Sequence, residues 1–338
     1  MKLPRRRALA LGAGAGAYAS IGILRYPGSA AQFSYKLAND QMPAHPMNVH
    51  TAEAVKRILD ASGGQIEIRV FPNSTLGSDP QMLAQVRSGA LELLQIGNNI
   101  LGSVIPAAAY ESLPFAFASY KQLMSAADGP LGAYVGAQAE KVGLRRFARS
   151  FYGGTFHIEN KVRPINVPGD LKGLKIRVPP GPIDVGTFKA FEASPAVISL
   201  AEVYTSLQTN LVDGIEVPLP TLQFFKFYEQ VKYCSLTSHS AITYQTIANA
   251  DAWQRLPSNL QTIVSRELEN AAVAATGAMA EQEGSIQSTL RSEGMVINRP
   301  NIEPFRRVIR DSGLYAQLRD QFDPAGWSAL EKTTGKLI

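Results

Sequence analysis

The 338-residue chain is 45% hydrophobic and 18% charged, with 33 basic and 28 acidic residues, a composition that excludes a disordered chain. Its single cysteine excludes a disulfide within the chain. Five basic and no acidic residues fall in the first 31 positions, so the rest carries 28 of each sign. The basic excess therefore belongs to the N-terminus and predicts no nucleic-acid-binding surface.

The first 31 residues have the layout of a secretory signal peptide. Arginines occupy positions 5 to 7, an uncharged stretch covers 8 to 24, and Ser-Ala-Ala at 29 to 31 is typical of a cleavage site. The stretch is short and glycine-rich for a membrane span, which favours a cleaved signal over an uncleaved anchor. The paired arginines also fit twin-arginine export. We expect a periplasmic protein.

Strand and helix patterns alternate from residue 32 onward, which indicates an α/β fold. Alternating polarity predicts strands, and apolar spacing near 3.6 residues predicts helices. In the first half the predicted strands are 33–38, 65–71 and 91–96, and the predicted helices are 50–61 and 80–88, the second with Asp79 as its N-cap.

The alternation resumes after residue 149. It predicts strands at 174–178 and 196–199 and helices at 183–191 and 201–208. A helical pattern over 258–292 exceeds the usual helix length, so we expect this helix either to kink, with Gly277 and Gly284 as the weak points, or to bridge two lobes. No segment after residue 31 is long and apolar enough to span a membrane.

Motifs for catalysis are missing from the sequence beyond residue 31. It contains no G-x-S-x-G, no P-loop and no H-E-x-x-H. His45 and His50 have no cysteine and no second histidine-rich cluster nearby, which favours surface or helix-start histidines, and Cys234 fits a buried apolar position. Glu202 and Glu216 could pair as carboxylates, but both fall at capping or turn positions. We therefore predict no catalytic residue, no metal and no cofactor.

Arg177 is the first candidate for a ligand contact. In strand 174–178, alternation directs Leu174, Ile176 and Val178 to the core and Arg177 to the opposite side, at the carboxyl end of the strand. That edge lines the ligand crevice in open α/β sheets. A guanidinium there can bind a carboxylate through two parallel hydrogen bonds. The alternative is a solvated arginine at the sheet edge.

Seven segments in one order and spacing resemble the substrate-binding proteins of tripartite ATP-independent periplasmic (TRAP) transporters, the DctP-like family. The resemblance covers nearly all of the chain after residue 31. The segments are GGQIEIRVFP (63–72), TLGSD (75–79), PGDLKGLKIRVP (168–179), ASP (193–195), EVYTSLQT (202–209), VDGIEVP (212–218) and KFYEQVKY (226–233).

This resemblance implies a two-lobed periplasmic binding protein with a long helix crossing both lobes. The expected division is a signal peptide at 1–31, lobe I at 32–153 with 243–282, and lobe II at 154–242 with 283–338. The implied function is capture of a small organic acid by lobe closure and delivery to TRAP membrane subunits, by a monomer that binds no nucleic acid. The rival interpretations are an exported enzyme, with His157 as base, and a chemosensory subunit.

The resemblance also implies that Arg177 clamps the ligand carboxylate, in a pocket that departs from the family pattern. Val217 stands where many members carry an asparagine, and Phe156 and His157 stand near the place of a second arginine. Leu200 replaces an aromatic residue of the sialic-acid binders. We therefore expect a ligand less polar than a sugar acid or a dicarboxylate, such as an aromatic or branched monocarboxylate.

Four further residues are candidates for the pocket. Asn39 and Asp40 follow the first predicted strand, and Asn98 follows strand 91–96, at the same kind of crevice edge. Their alternative role is in turns, which asparagine and aspartate favour. Tyr152 is a candidate hydrogen-bonding group or a packing residue.

Overall fold

The computed structural model describes residues 31 to 321 and 323 to 337. The predicted signal peptide lies outside the described residues except for its last position. The chain from Ala31 onward forms one compact unit. The division of that unit into two lobes stays a prediction. Within the described ranges, no helix combines the length and apolar character needed to cross a membrane.

One mixed sheet runs through the described part of the chain, in the order β2-β1-β3-β8-β4-β7-β5-β6, with β9 pairing to β8. Its strands are β1 Phe33–Ala38, β2 Ile66–Phe71, β3 Leu93–Gly97, β4 Leu144–Asn160, β5 Lys175–Val178, β6 Ser194–Val197, β7 Gly214–Pro218, β8 Tyr233–Asn249 and β9 Val296–Asn298.

Helices cover the sheet. They are α1 Pro46–Ala61, α2 Asp79–Ser88, α3 Asn98–Leu101, α4 Tyr120–Ala127, α5 Pro130–Lys141, α6 Pro182–Ala190, α7 Val203–Gln208, α8 Leu219–Phe224, α9 Ala250–Gln254, α10 Ser258–Ser292, α11 Glu303–Asp311, α12 Leu314–Gln321 and α13 Pro324–Thr334. Short 3-10 helices add Pro106–Ser112, Pro168–Leu171, Leu200–Glu202 and Phe227–Glu229. The predicted α/β class is confirmed.

The two longest strands, β4 and β8, lie next to each other in the middle of the sheet. Parallel pairs occupy both sides of them: β1 with β2 and β3, and β5 with β6 and β7. The antiparallel β4–β8 ladder shifts register three times, once between Tyr152 and Gly154. Such irregularities bend a strand locally, so the centre of the sheet is where its two sides can change angle.

Helix α10 is continuous from Ser258 to Ser292, through both glycines expected to weaken it. Its first half packs Leu260 and Val264 into a core cluster with strands β1 and β2. Its last turns pack Ile286 and Leu290 into a second cluster with β7 and α8. The sequence predicted either a kink at these glycines or a bridging helix. The structure shows the second: one helix that packs against both ends of the sheet.

The start of α2 differs from the sequence expectation. The N-cap is Ser78, and Asp79 is the first helical residue. Ser78 N donates to Gln81 Oε1 at 2.8 Å, which completes the N-terminal turn. The capping role assigned to Asp79 was therefore wrong by one position, because a serine and an aspartate are both good caps and the local pattern does not rank them.

Candidate functional site

A small internal cavity of about 30 Å³ lies where β4, β5, β7 and β8 meet the ends of β1 and the start of α2. Its volume is enough for about two water molecules. Both polar and apolar side chains line the cavity. The polar part comprises Asp40, Asp79, Asn99, Arg177, Thr221 and Tyr244; the apolar part comprises Ile100, Phe156, Pro179, Leu200, Val217, Pro218 and Ile242.

Arg177 enters the cavity from the middle of β5, where it pairs with Ala196 of β6 and Ile215 of β7. Both neighbouring strands cover it, and only 3% of the residue is exposed. The structure therefore does not contain the solvated edge arginine that the sequence left open. Its Nε donates to the carbonyl oxygen of Ile198 at 2.8 Å, which fixes the plane of the guanidinium.

Four buried acids surround this one cation: Asp40, Asp79, Asp184 and Glu216. Burial raises the pKa of each, and the positive charge of Arg177 acts against that rise. The pKa of Asp40 rises to about 6 and that of Glu216 to about 8. Burial also lowers the pKa of Arg177, an effect that the nearby acids oppose. The region therefore holds more acidic groups than one guanidinium can balance.

Asp79, like Asp184 and Glu216, has a buried carboxylate oxygen without a hydrogen-bond partner among the described residues, and of these three only Asp79 lines the cavity. Only 2% of the residue is exposed, and its Oδ1 has no hydrogen-bond partner among the described residues. Asp40, by contrast, accepts from Gln41 Nε2 at 3.2 Å. The same Gln41 nitrogen donates to Tyr244 Oη at 2.6 Å. Buried carboxylate oxygens are normally hydrogen-bonded, so Asp79 is the wall residue that lacks a donor.

Five of the nine sequence candidates line this cavity: Arg177, Asp40, Phe156, Leu200 and Val217. Phe156 and Val217 come from the paired strands β4 and β7, and Leu200 begins a 3-10 helix beyond β6. Phe156, Leu200 and Val217, the three apolar residues that depart from the family pattern, thus line one cavity with Arg177.

The other four candidates lie elsewhere. His157 follows Phe156 on β4 and faces the other side, where its Nδ1 accepts from Ser238 N at 3.2 Å. Burial lowers its pKa to about 3. Asn39 donates to Asn48 Oδ1 at 2.7 Å, and Asn98 donates to Ser112 Oγ at 2.7 Å.

Tyr152 Oη and Thr155 Oγ1 are 2.7 Å apart, beside a separate, smaller cavity near α8. These contacts give His157, Asn39, Asn98 and Tyr152 places in the framework around the site. A direct ligand contact from any of the four stays a prediction.

Sequence reasoning missed several residues of the wall, chiefly Asp79, Thr221 and Tyr244. Asp79 was assigned to a helix cap. Thr221 and Tyr244 carry no local signal, because the pairing of β7 and β8 with β4 brings Tyr244, and the helix α8 that follows β7 with its Thr221, to the cavity.

The residues considered for catalysis or metal binding do not form a centre. Glu216 Oε2 is 2.8 Å from His239 Nε2, whereas Glu202 accepts from Ser199 Oγ at 2.6 Å. Burial raises the pKa of Cys234 well above its usual range. No group of three or more potential metal ligands occurs in the part of the chain that the structure describes.

Comparison with known proteins extends over almost the whole described chain. The model of a family described as bacterial extracellular solute-binding protein, family 7 (DctP), matches residues 38–317. The sialic acid-binding periplasmic protein SiaP of Vibrio cholerae is 32% identical over 251 residues, which are 74% of this chain and 78% of that protein.

Two solved structures share the architecture. A TRAP periplasmic solute-binding protein from Xanthobacter autotrophicus with bound β-D-galacturonate gives a TM-score of 0.84 at 27% identity, over 89% of this chain and 99% of that one. A TRAP periplasmic solute-binding protein from Roseobacter denitrificans with bound β-D-glucuronate gives a TM-score of 0.85 at 25% identity, over 90% of this chain and 99% of that one. The similarity therefore includes the fold as a whole and the strands that form the cavity.

Proposed function

Since the chain belongs to the bacterial extracellular solute-binding proteins of family 7, we propose that its solute is a branched or aromatic monocarboxylate held at Arg177. The protein is a periplasmic TRAP-type receptor for small organic acids that works with TRAP membrane subunits. It is a receptor and not an enzyme, as its family and its structural neighbours are. Cleavage after position 31 and the export route stay predictions.

The geometry of Arg177 is the observation that carries the proposal. Its Nε is held by the carbonyl of Ile198 at 2.8 Å, and this is its one side-chain hydrogen bond within the described residues. The terminal nitrogens are therefore left for the ligand. Two parallel hydrogen bonds from a guanidinium to a carboxylate are strong and directional, especially when water is excluded.

The apolar wall supports a solute with few hydroxyl groups. The relatives named above bind sialic acid, galacturonate or glucuronate, all rich in hydroxyls. Here Phe156, Leu200 and Val217 would leave such hydroxyls without partners, and a buried polar group without a hydrogen bond is unfavourable. The cavity of about 30 Å³ is smaller than either a branched or an aromatic side chain, so its walls have to separate to admit the solute.

Lobe closure would form this cavity around the ligand. The expected boundaries between the lobes fall at 153/154 in β4 and 242/243 in β8, and Gly154 pairs with Ile242 across these strands. Gly154 has φ of +115°, a backbone conformation that side chains other than glycine rarely adopt. A bend at this pair supports a hinge in which both central strands take part.

Isothermal titration of the mature protein tests the proposal. We expect 4-methylpentanoate or 3-phenylpropionate, or their substituted relatives, to bind more tightly than succinate, glucuronate or sialic acid. Replacing Arg177 by alanine should weaken binding by roughly 30-fold or more, because it leaves the carboxylate unpaired. Arg87→Ala, an exposed arginine on α2, is the matched control and should bind normally. Binding restricted to dicarboxylates or uronates would contradict the proposal.

A further inference from the structure

We propose that the solute is an amino acid: Arg177 binds its carboxylate, and Asp79 together with Asp40 binds its ammonium group. The inference rests on the proposed function, in which this cavity is the solute site. It adds a second charged group, of opposite sign, to a solute that is otherwise a branched or aromatic monocarboxylate.

The missing donor of Asp79 is the first reason. Its carboxylate is buried at the start of α2, lines the cavity, and has an Oδ1 that no described residue contacts with a hydrogen bond. A protein leaves such an oxygen unpaired only at a cost in stability, unless a ligand supplies the donor. An N–H or O–H of the solute near Asp79 would supply that donor.

The charges of the cavity wall favour an ammonium group over a hydroxyl group as the donor that the solute offers to Asp79. The described residues of the cavity wall include two acids, Asp40 and Asp79, whose pKa values burial raises, and one cation, Arg177, so the wall by itself has no excess of positive charge. A hydroxy acid would satisfy the hydrogen bond of Asp79 but would bring a further negative charge into a buried site. An amino acid brings a cation with its carboxylate, so the charges of solute and wall are balanced more closely.

The arrangement of the charges fits the two ends of one short molecule. Asp40 follows β1 and Asp79 begins α2, on one side of the central strands, whereas Arg177 is on β5 at the other side. Arg177 forms no direct ion pair with an acid among the described residues, so both kinds of group remain available.

Apolar side chains complete the argument. Phe156, Leu200, Val217 and Ile242 occupy the rest of the wall and give a branched or aromatic side chain an apolar environment. A solute that contacts both Asp79 and Arg177 draws together elements from the two sides of the sheet. A plain monocarboxylate would bind Arg177 without that second contact.

Calorimetry with matched sets of compounds tests the inference. One set is leucine, 4-methylpentanoate and 2-hydroxy-4-methylpentanoate; the other is phenylalanine, 3-phenylpropionate and 3-phenyllactate. In at least one set we expect the amino acid to bind tenfold or more tightly than both analogues. If the analogues bind as tightly as the amino acids, the inference is wrong while the monocarboxylate proposal stands. If no member of either set binds, and uronates or dicarboxylates do, both fail.

Variants assign the ammonium contact. Asp79→Asn keeps the shape of the side chain and removes its charge, so it should weaken binding of the amino acid tenfold or more and leave the plain monocarboxylate unchanged or tighter. Asp40→Asn should likewise weaken binding of the amino acid relative to binding of the plain monocarboxylate. Asp60→Asn, at an exposed position of α1, is the control. Equal weakening of both compounds by Asp79→Asn, in a variant with a normal melting temperature, would overturn the assignment.

Discussion

At the scale of single residues, the site depends on groups whose burial changes their protonation. Glu216 lies beside β4 and pairs with Ile158, and it faces His239, Arg177 and the acids Asp184 and Glu159. Burial raises the pKa of Glu216 to about 8, against a usual value of 4.5. At neutral pH the folded protein therefore binds a proton on Glu216 that the unfolded chain has released.

This difference predicts a pH dependence of stability. A carboxyl whose pKa is raised by folding stabilises the folded state fully below its unfolded pKa, and that contribution is lost as the pH rises through the folded pKa of about 8. We expect the contribution of Glu216 to the free energy of unfolding to fall by about 1–2 kcal/mol from pH 7 to pH 9. Urea unfolding at pH 7, 8 and 9 measures it.

Glu216→Gln is the matched variant, because the amide keeps the shape and removes the ionisation. Its stability should change less over this range than that of the unaltered protein. The buried histidines do not interfere, since their unfolded pKa of about 6.5 lies below the range. If the free energy of unfolding of the variant depends on pH as steeply as that of the unaltered protein, a group other than Glu216 takes up the proton.

At the scale of elements, two glycines have opposite roles. In β4, Gly154 has φ of +115°, and a Cβ added there would lie 2.6 Å from Pro218 Cβ in β7. In α10, Gly277 is helical and exposed, and an added Cβ would meet no atom within 4 Å. The first glycine permits a bend between paired strands, whereas the second lies inside a helix that continues through it, where glycine stabilises the helix less than alanine would.

The two positions make a paired prediction. Gly154→Ala should lower the free energy of unfolding by about 2 kcal/mol or more, because alanine is strained at this φ and clashes with Pro218. Gly277→Ala should raise it by about 0.5–1 kcal/mol, since alanine is the better helix former. Thermal and urea unfolding of both variants measures whether each substitution raises or lowers the free energy of unfolding. Stabilisation by Gly154→Ala would exclude a strained bend at this position.

Local patterns located the elements, since strand 33–38 and helix 258–292 were predicted with the bounds that the structure has. The cavity was harder to predict. Alternation separates Phe156 from His157, but the sequence alone does not say which of the two faces the ligand. Tyr244 reaches the cavity through pairing of β8 with β3 and β4, strands far apart from it in the chain, and a local pattern carries no record of that pairing.

At the scale of the whole molecule, the ligand should change the shape of the protein. The acids Asp40 and Asp79 and the arginine Arg177 belong to opposite sides of the central strands, so a solute that binds both stabilises the closed arrangement. Small-angle X-ray scattering should show a smaller radius of gyration after ligand addition. The Arg177→Ala protein should show no such decrease. A radius that is unchanged by a saturating ligand would contradict closure on binding.

The position of β8 in the sheet has a consequence for how this chain folds. Residues 244 to 248 of β8 pair with residues 93 to 97 of β3, so the sheet cannot be completed until most of the chain has been synthesised. Pairings between such distant segments are slow to form, and the edge of β3 stays open meanwhile. We therefore expect slow folding. The same delay makes pairing of the open β3 edge with a second chain the principal aggregation hazard.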